Sequence, residues 1–139
     1  TFDSADMRGM IASGRLENVI AHEMGHVLGI GTLWGSFGPI AALAQQGGGD
    51  PRFLGARTLA AAAGLGFTRP SLATGGAVRF ESVPLENTGG AGTAGAHWRR
   101  SVFGNELMNG FAGAGASPLS LLTVQAMVDL GYVVSTSSA

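Results

Sequence analysis

Residues 22 to 26 read His-Glu-Met-Gly-His, and no other stretch constrains the chain as tightly. On an α-helix, residues four apart project from one face. His22 and His26 would then present two imidazoles side by side, with Glu23 one step round the helix. That spacing serves two neutral imidazoles on one zinc ion, with a carboxylate beside the water that the metal activates. The plainer reading of Glu23, a surface helix carboxylate, loses weight between two zinc-spaced His. The flanks fit a helix from Arg15 to Leu28. At roughly 100° per residue, Leu16, Ile20, Met24 and Val27 share an arc that excludes both His. The expectation is an apolar back facing the core and a metal-binding front, with Gly25 leaving room over the metal face. Gly29 should end the helix, because glycine takes the left-handed cap conformation at little cost.

A catalytic zinc usually takes three protein ligands and keeps one position open. The chain holds 3 His in all, so His97 is the natural third ligand. The compact motif H-E-x-x-H-x-x-G-x-x-H would place a His at position 32. Thr32 stands there instead, although Gly29 is kept, and the 70 residues from 27 to 96 separate His26 from His97. Glu81, Glu86 and Glu106 remain alternatives, since many H-E-x-x-H peptidases use a Glu as third ligand. Asp50, Glu81, Glu86 and Asp129 lack the D-x-D-x-D spacing of a calcium loop and read as structural or solvated.

The 139 residues have room for one domain, 1–139, with a modest core. Charged residues make 12%, about half the usual share. The 24 glycines fall in clusters, which implies long ordered loops between a few helices. A net charge of −1 argues against nucleic acid or an anionic membrane surface as partner. Without Cys there are no disulfides, and no apolar run is long enough to span a bilayer. The chain opens at Thr1 without Met or a signal peptide, which suggests a fragment or a processed product. Oligomeric state is not legible.

Taken in order, Phe2 could end a strand. Asp3 or Ser4 can cap a short helix carrying Met7, Met10 and Ile11, broken at Gly14. Trp34 reads as a packing residue before a cleft residue. Ile40 to Gln46 suggests a helical turn, Arg57 to Ala63 a short helix, and Ala77 to Leu85 a strand that Pro84 places at an edge or end. A helix from Ser120 to Leu130 should present Leu121, Val124, Met127 and Val128, with Gly131 as its stop.

Through these residues the chain resembles the leishmanolysin family of metzincin zinc peptidases, and particularly its bacterial-type members. H-E-x-x-H with Gly29, then a long insertion, His97-Trp98, Glu106-Leu107-Met108 and the stretch Leu119 to Tyr132 carry the resemblance over about Thr1 to Val134. It implies an α+β, helix-dominated fold. That fold is a partial zincin or metzincin-like catalytic domain with an active-site helix, a long Gly-rich insertion, a Met-turn and a C-terminal helix. It further implies that Met108 is the Met-turn residue, a hydrophobic floor beneath the metal and not a ligand. Asn109, Gly110 and Phe111 would wall the pocket for the residue after the scissile bond. No Tyr follows Met108 to reach the metal, and Glu106 reads as a hydrogen-bonding residue of the turn. Since 21 residues precede His22, most of the N-terminal sheet of a metzincin is expected to be absent. The implied activity is that of a zinc metalloendopeptidase acting on protein or peptide substrates. Zn²⁺ would be held by His22, His26 and His97, with Glu23 as general base. The resemblance also implies a secreted or cell-surface location. The competing readings are a non-catalytic zinc-containing adhesion module and a hydrolase of another bond, such as an amidase. An intact Glu23 speaks against the first, because a purely structural zinc needs no base.

Overall fold

The computed structural model describes residues 4–35, 44–45, 49–73, 75–111 and 116–135. Helix α1 spans Ser4–Ala12 and α2, the motif helix, spans Leu16–Val27. Gly14, at φ 65°, separates them. The expected strand end at Phe2 and cap at Asp3 lie outside the described residues. Helix α2 stops as anticipated. Leu28 is its C-cap and Gly29 follows at φ 109°.

Five short strands and three more helices complete the described chain. Strands β1 (Ala44–Gln45), β2 (Arg52–Phe53) and β5 (Val83–Pro84) form an antiparallel sheet in the order β1-β2-β5. Strands β3 (Thr68–Pro70) and β4 (Ala77–Arg79) form a separate antiparallel pair. Helix α3 covers Ala56–Gly64, α4 Arg100–Phe103 and α5 Leu121–Asp129. The architecture is thus α+β and helix-dominated. The single strand expected over Ala77 to Leu85 is two strands in different sheets. The chain bends at Glu81 and Ser82, where the Glu81 carboxylate pairs with Arg69 of β3 at 3.2 Å. Pro84 does sit on an edge strand, where its missing N–H costs no ladder bond. Of the Ile40–Gln46 stretch, Ala44 and Gln45 are described, and they are strand, not helical turn.

The core is aromatic. Trp34, Phe53 and Trp98 are fully buried, with ring centroids 4.8 Å (Trp34–Phe53), 4.8 Å (Trp34–Trp98) and 5.5 Å apart. Burial of each such side chain contributes roughly 2–3 kcal/mol. Trp34 is therefore a packing residue. Ile30, Leu85, Met108 and Leu122 close round the three rings.

The helix of the motif departs from expectation. No residue of α2 is buried, and Met24 and Val27 are 58% and 86% exposed. Its apolar arc does not face the described core, which the aromatic cluster builds without it. What the helix rests on is Met108, through Gly25: a Cβ there would lie 2.5 Å from the Met108 sulfur. The space beside Gly25 is filled by that side chain and is not kept open over the metal face.

Helix α5 keeps only part of its predicted stripe, with Met127 packed against the core. Leu122, Thr123 and Ala126 are buried, while Leu121 is exposed. Polar partners set this rotation. Asp129 accepts from the Arg57 and Thr58 backbone N–H groups (3.1 and 2.9 Å) and from the Thr58 hydroxyl (2.7 Å). It caps α3 from the far end of the chain, because the local N-cap residue, Gly55, has no side chain to offer. On the same face, Thr123 accepts from Trp98 Nε1 at 2.8 Å.

Candidate metal centre

Three imidazoles meet between α2 and the segment that carries residue 97. The His22–His26 Nε2 pair is 3.1 Å apart, His26–His97 3.0 Å and His22–His97 3.2 Å. Helical spacing brings the first two together. The third arrives because the segment that carries it is held on both sides. The Glu86 N–H donates to the His97 carbonyl at 2.8 Å, and the Trp98 N–H donates to the Met108 carbonyl at 3.0 Å. The loop after α2 closes against the same segment. Gly31, at φ 76°, lies so near that a Cβ would stand 2.0 Å from the Ala96 carbonyl oxygen.

Every one of the three rings is oriented by a backbone carbonyl. His22 Nδ1 lies 2.7 Å from the Leu107 oxygen, His26 Nδ1 2.8 Å from that of Ile30 and His97 Nδ1 3.0 Å from that of Thr93. A carbonyl only accepts, so the proton of each neutral ring is assigned to Nδ1. Three Nε2 lone pairs are then left pointing at one another. That arrangement is repulsive unless a cation lies among them. Nitrogens about 2.0–2.1 Å from one tetrahedral zinc stand roughly 3.3 Å apart, close to the spacing found here, so the donor set fits such an ion. Among the described residues this trio is the group of His, Asp and Glu side chains that could hold a metal. His97 is 5% exposed. Burial pushes its pKa down to about 4, with the neighbouring His26 and His22 adding to the shift against the Thr93 carbonyl and Glu23. It is thus neutral, with its lone pair available, at ordinary pH.

The alternative third ligands are committed elsewhere. Glu81 is exposed and paired with Arg69. Glu86 accepts from the Asn87 and Thr88 N–H groups and the Thr88 hydroxyl on one oxygen, and from the Arg100 N–H on the other. Burial raises its pKa, but the bonds from Thr88, Arg100 and Asn87 outweigh it and hold the carboxyl below its ordinary range. Glu106 accepts from the Ser120 N–H and hydroxyl and the Thr123 hydroxyl on one oxygen, and from the Met108 N–H on the other. It is a hydrogen-bonding residue of the turn. Ser120 stands at the N-cap of α5, but its hydroxyl donates to Glu106 and makes no capping bond. Asp50 is tied to Arg52 and Arg99. At position 32, the Thr32 hydroxyl donates to the His26 carbonyl at 2.7 Å and caps the end of α2.

Met108 is fully buried behind α2, its thioether against Gly25. The turn around it is held by Asn109, whose Nδ2 donates to the Gly104 and Glu106 carbonyls and whose Oδ1 accepts from the Phe111 N–H. Gly110 lies under the third imidazole: a Cβ there would come 2.5 Å from Thr93 Cγ2 and 3.4 Å from His97 Cγ. Asn109, Gly110 and Phe111 line a cleft of about 220 Å³ together with His22 and the exposed Glu23. The cleft also takes in Arg15, Asn18, Val19, Leu107 and Ser117, which sequence reasoning passes over. Helical spacing could have found three of them, since Arg15, Asn18 and Val19 precede His22 and Glu23 on one face. The orienting carbonyls of Ile30, Thr93 and Leu107 leave no such trace, because every residue carries one.

Compared with known proteins, the chain matches the model of one family, described as leishmanolysin, over residues 2–139. No curated protein and no solved structure matches it.

Proposed function

The chain belongs to the leishmanolysin peptidase family, and on that premise we propose that it is a zinc-dependent endopeptidase with Glu23 as its general base. The observation that carries the reading is the convergence of three Nε2 lone pairs, each ring fixed by a backbone carbonyl, beside a carboxylate that lines an open cleft. His22, His26 and His97 would hold the ion. When bound, zinc supplies Lewis-acid chemistry, making water acidic near neutral pH and polarising a carbonyl.

The chain's own residues do the rest. Glu23 takes the proton of the attacking water and delivers it to the leaving amine, a carboxylate serving first as base and then as acid. The Leu107, Ile30 and Thr93 carbonyls keep the imidazoles in one tautomer and orientation. Met108 forms an apolar floor under the three rings, buttressed by Gly25. Asn109 fixes the turn so that Gly110 and Phe111 wall the cleft for the residue after the scissile bond. Peptide or protein substrates and a secreted or cell-surface location accord with the family. No helix among the described residues is long and apolar enough to cross a membrane.

The test is Glu23→Gln with metal content and peptide cleavage measured on one preparation. Zinc near one per chain with cleavage lost by a factor of about 10² or more is the expected result. Wild-type turnover by the variant, or cleavage that a chelator does not stop, would sink the assignment.

A further inference from the structure

The cleft beside Glu23 is lined in part by Arg15, a cation for which the peptidase chemistry has no use. Arg15, Asn18, Val19, His22 and Glu23 line it from α2 and its N-cap, a spacing of three and four that makes one continuous face. Val19, Leu107 and Phe111 give it apolar walls. Arg15 stands about two helical turns from Glu23 along that face. Its Nε donates to the Ser13 hydroxyl at 3.1 Å. Among the described residues the ion pairs are Arg52–Asp50, Arg69–Glu81 and Arg99–Asp50, and Arg15 is in none of them. A second cation adds to the local potential, as the Arg100 guanidinium lies 6.0 Å from the centroid of the Phe111 ring.

We infer that Arg15 is a specificity residue, selecting substrates with a glutamate on the residue that supplies the leaving amine. The inference rests on the peptidase reading, since it is Glu23's proton that this amine receives. The residue bearing the amine must sit next to Glu23, and its side chain enters the cleft that Glu23 lines. Two charges meet it there. The Glu23 carboxylate repels an acid held close by, and Arg15 attracts one held two turns away. A long acid satisfies both, with its methylenes on Val19 and Leu107 and its carboxylate at Arg15. Aspartate is too short to escape Glu23, and lysine meets Arg15 with like charge.

The experiment digests a peptide library, randomised around its centre, with the zinc-loaded full chain and reads the cleavage products by mass spectrometry. Glu should exceed its neutral isostere Gln about fivefold immediately after the cut, the scale of one partly exposed ion pair. Arg15→Gln should bring the ratio near one, Arg15→Lys should keep most of it, and Arg15→Glu should shift the preference to Lys and Arg. Equal Glu-to-Gln ratios in wild type and Arg15→Gln, with cleavage intact, would overturn the role of Arg15 and leave the peptidase reading standing. If no peptide is cut by a wild-type chain carrying stoichiometric zinc, the peptidase reading fails and this inference falls with it.

Discussion

Replacing Gly31 by Ala tests how the second half of the site is held to the first. Two costs add at this position. The backbone sits at φ 76°, where an L side chain is disfavoured, a term of about 1 kcal/mol. The new Cβ would also lie 2.0 Å from the Ala96 carbonyl oxygen. Ordinary contact is about 3.5 Å, so one backbone segment must retreat by about 1.5 Å. That oxygen belongs to the main chain, one residue before His97, and cannot swing aside like a side-chain tip. Overpacking of this kind costs about 1–3 kcal/mol, which brings the total to roughly 3 kcal/mol. The two terms can be separated. Gly14 has φ 65°, and nothing lies within 4 Å of the point where an added methyl group would stand, so Gly14→Ala reports the backbone term alone. Urea unfolding of both variants should place Gly31→Ala about 2 kcal/mol below Gly14→Ala. Because the retreat carries His97 with it, zinc affinity by chelator competition should fall on the order of 10–100-fold, the usual effect of disturbing the support of a metal ligand. If Gly31→Ala unfolds within about 0.5 kcal/mol of Gly14→Ala and binds zinc normally, the close approach of the two loops is wrong.

Asp129→Ala removes the remote cap of α3 and leaves the Arg57 and Thr58 N–H groups without their partner; a loss of about 1–2 kcal/mol in urea unfolding is expected, with part recovered in Asp129→Asn. Glu106→Gln turns an acceptor towards the Met108 N–H into a donor and should cost about 1–2 kcal/mol at neutral pH. The same variant has a pH signature. Burial pushes the Glu106 carboxyl above its ordinary value of 4.5 despite hydrogen bonds from Thr123, Met108 and Ser120. The folded chain therefore binds this proton more tightly than the unfolded one. Wild-type stability should fall as pH rises from about 4.5 through the raised folded value, and Glu106→Gln should flatten that slope. Zinc at 100 times its dissociation constant should stabilise the wild type by about 2.7 kcal/mol; a chelator should reverse the gain and His97→Ala should abolish it, both visible in thermal unfolding.

Much of the site is legible in the sequence because the chemistry is local. His22, Glu23 and His26 lie on one turn of helix, so their relation follows from 3.6 residues per turn. The stops at Gly29 and Gly131 are equally readable, since both need positive φ and both have it, at 109° and 98°. His97 is reached only by elimination and by resemblance, and the fold brings its Nε2 within 3.2 Å of both others. The misreadings share a cause. Periodicity assigns the arc Leu16, Ile20, Met24 and Val27 to the core, but it says which residues share a face, not whether anything packs on it. The predicted stripe of α5 holds at Met127 and is lost at Leu121 for the complementary reason. Thr123 and Asp129, both polar, turn the helix inward because Trp98, Glu106 and α3 offer partners that no hydropathy pattern records. The run from Ala77 to Leu85 has the composition of one strand, but the Glu81–Arg69 pair lies at its bend, and its halves join different sheets.

By itself the sequence determined the reactive groups, their order along the chain and the helix that pairs two of them. These depend on bonded geometry and on residue chemistry. Only the tertiary structure decided which backbone carbonyls orient the three imidazoles, that the Glu86 and Glu106 carboxylates are spent on hydrogen bonds that brace the chain, and that Gly25 and Gly31 are contact points for Met108 and Ala96. Such facts depend on where distant segments come to rest against one another. A hydrogen bond to a main-chain oxygen, or a glycine kept for want of space, is a property of two places in the fold, and neither place carries it alone.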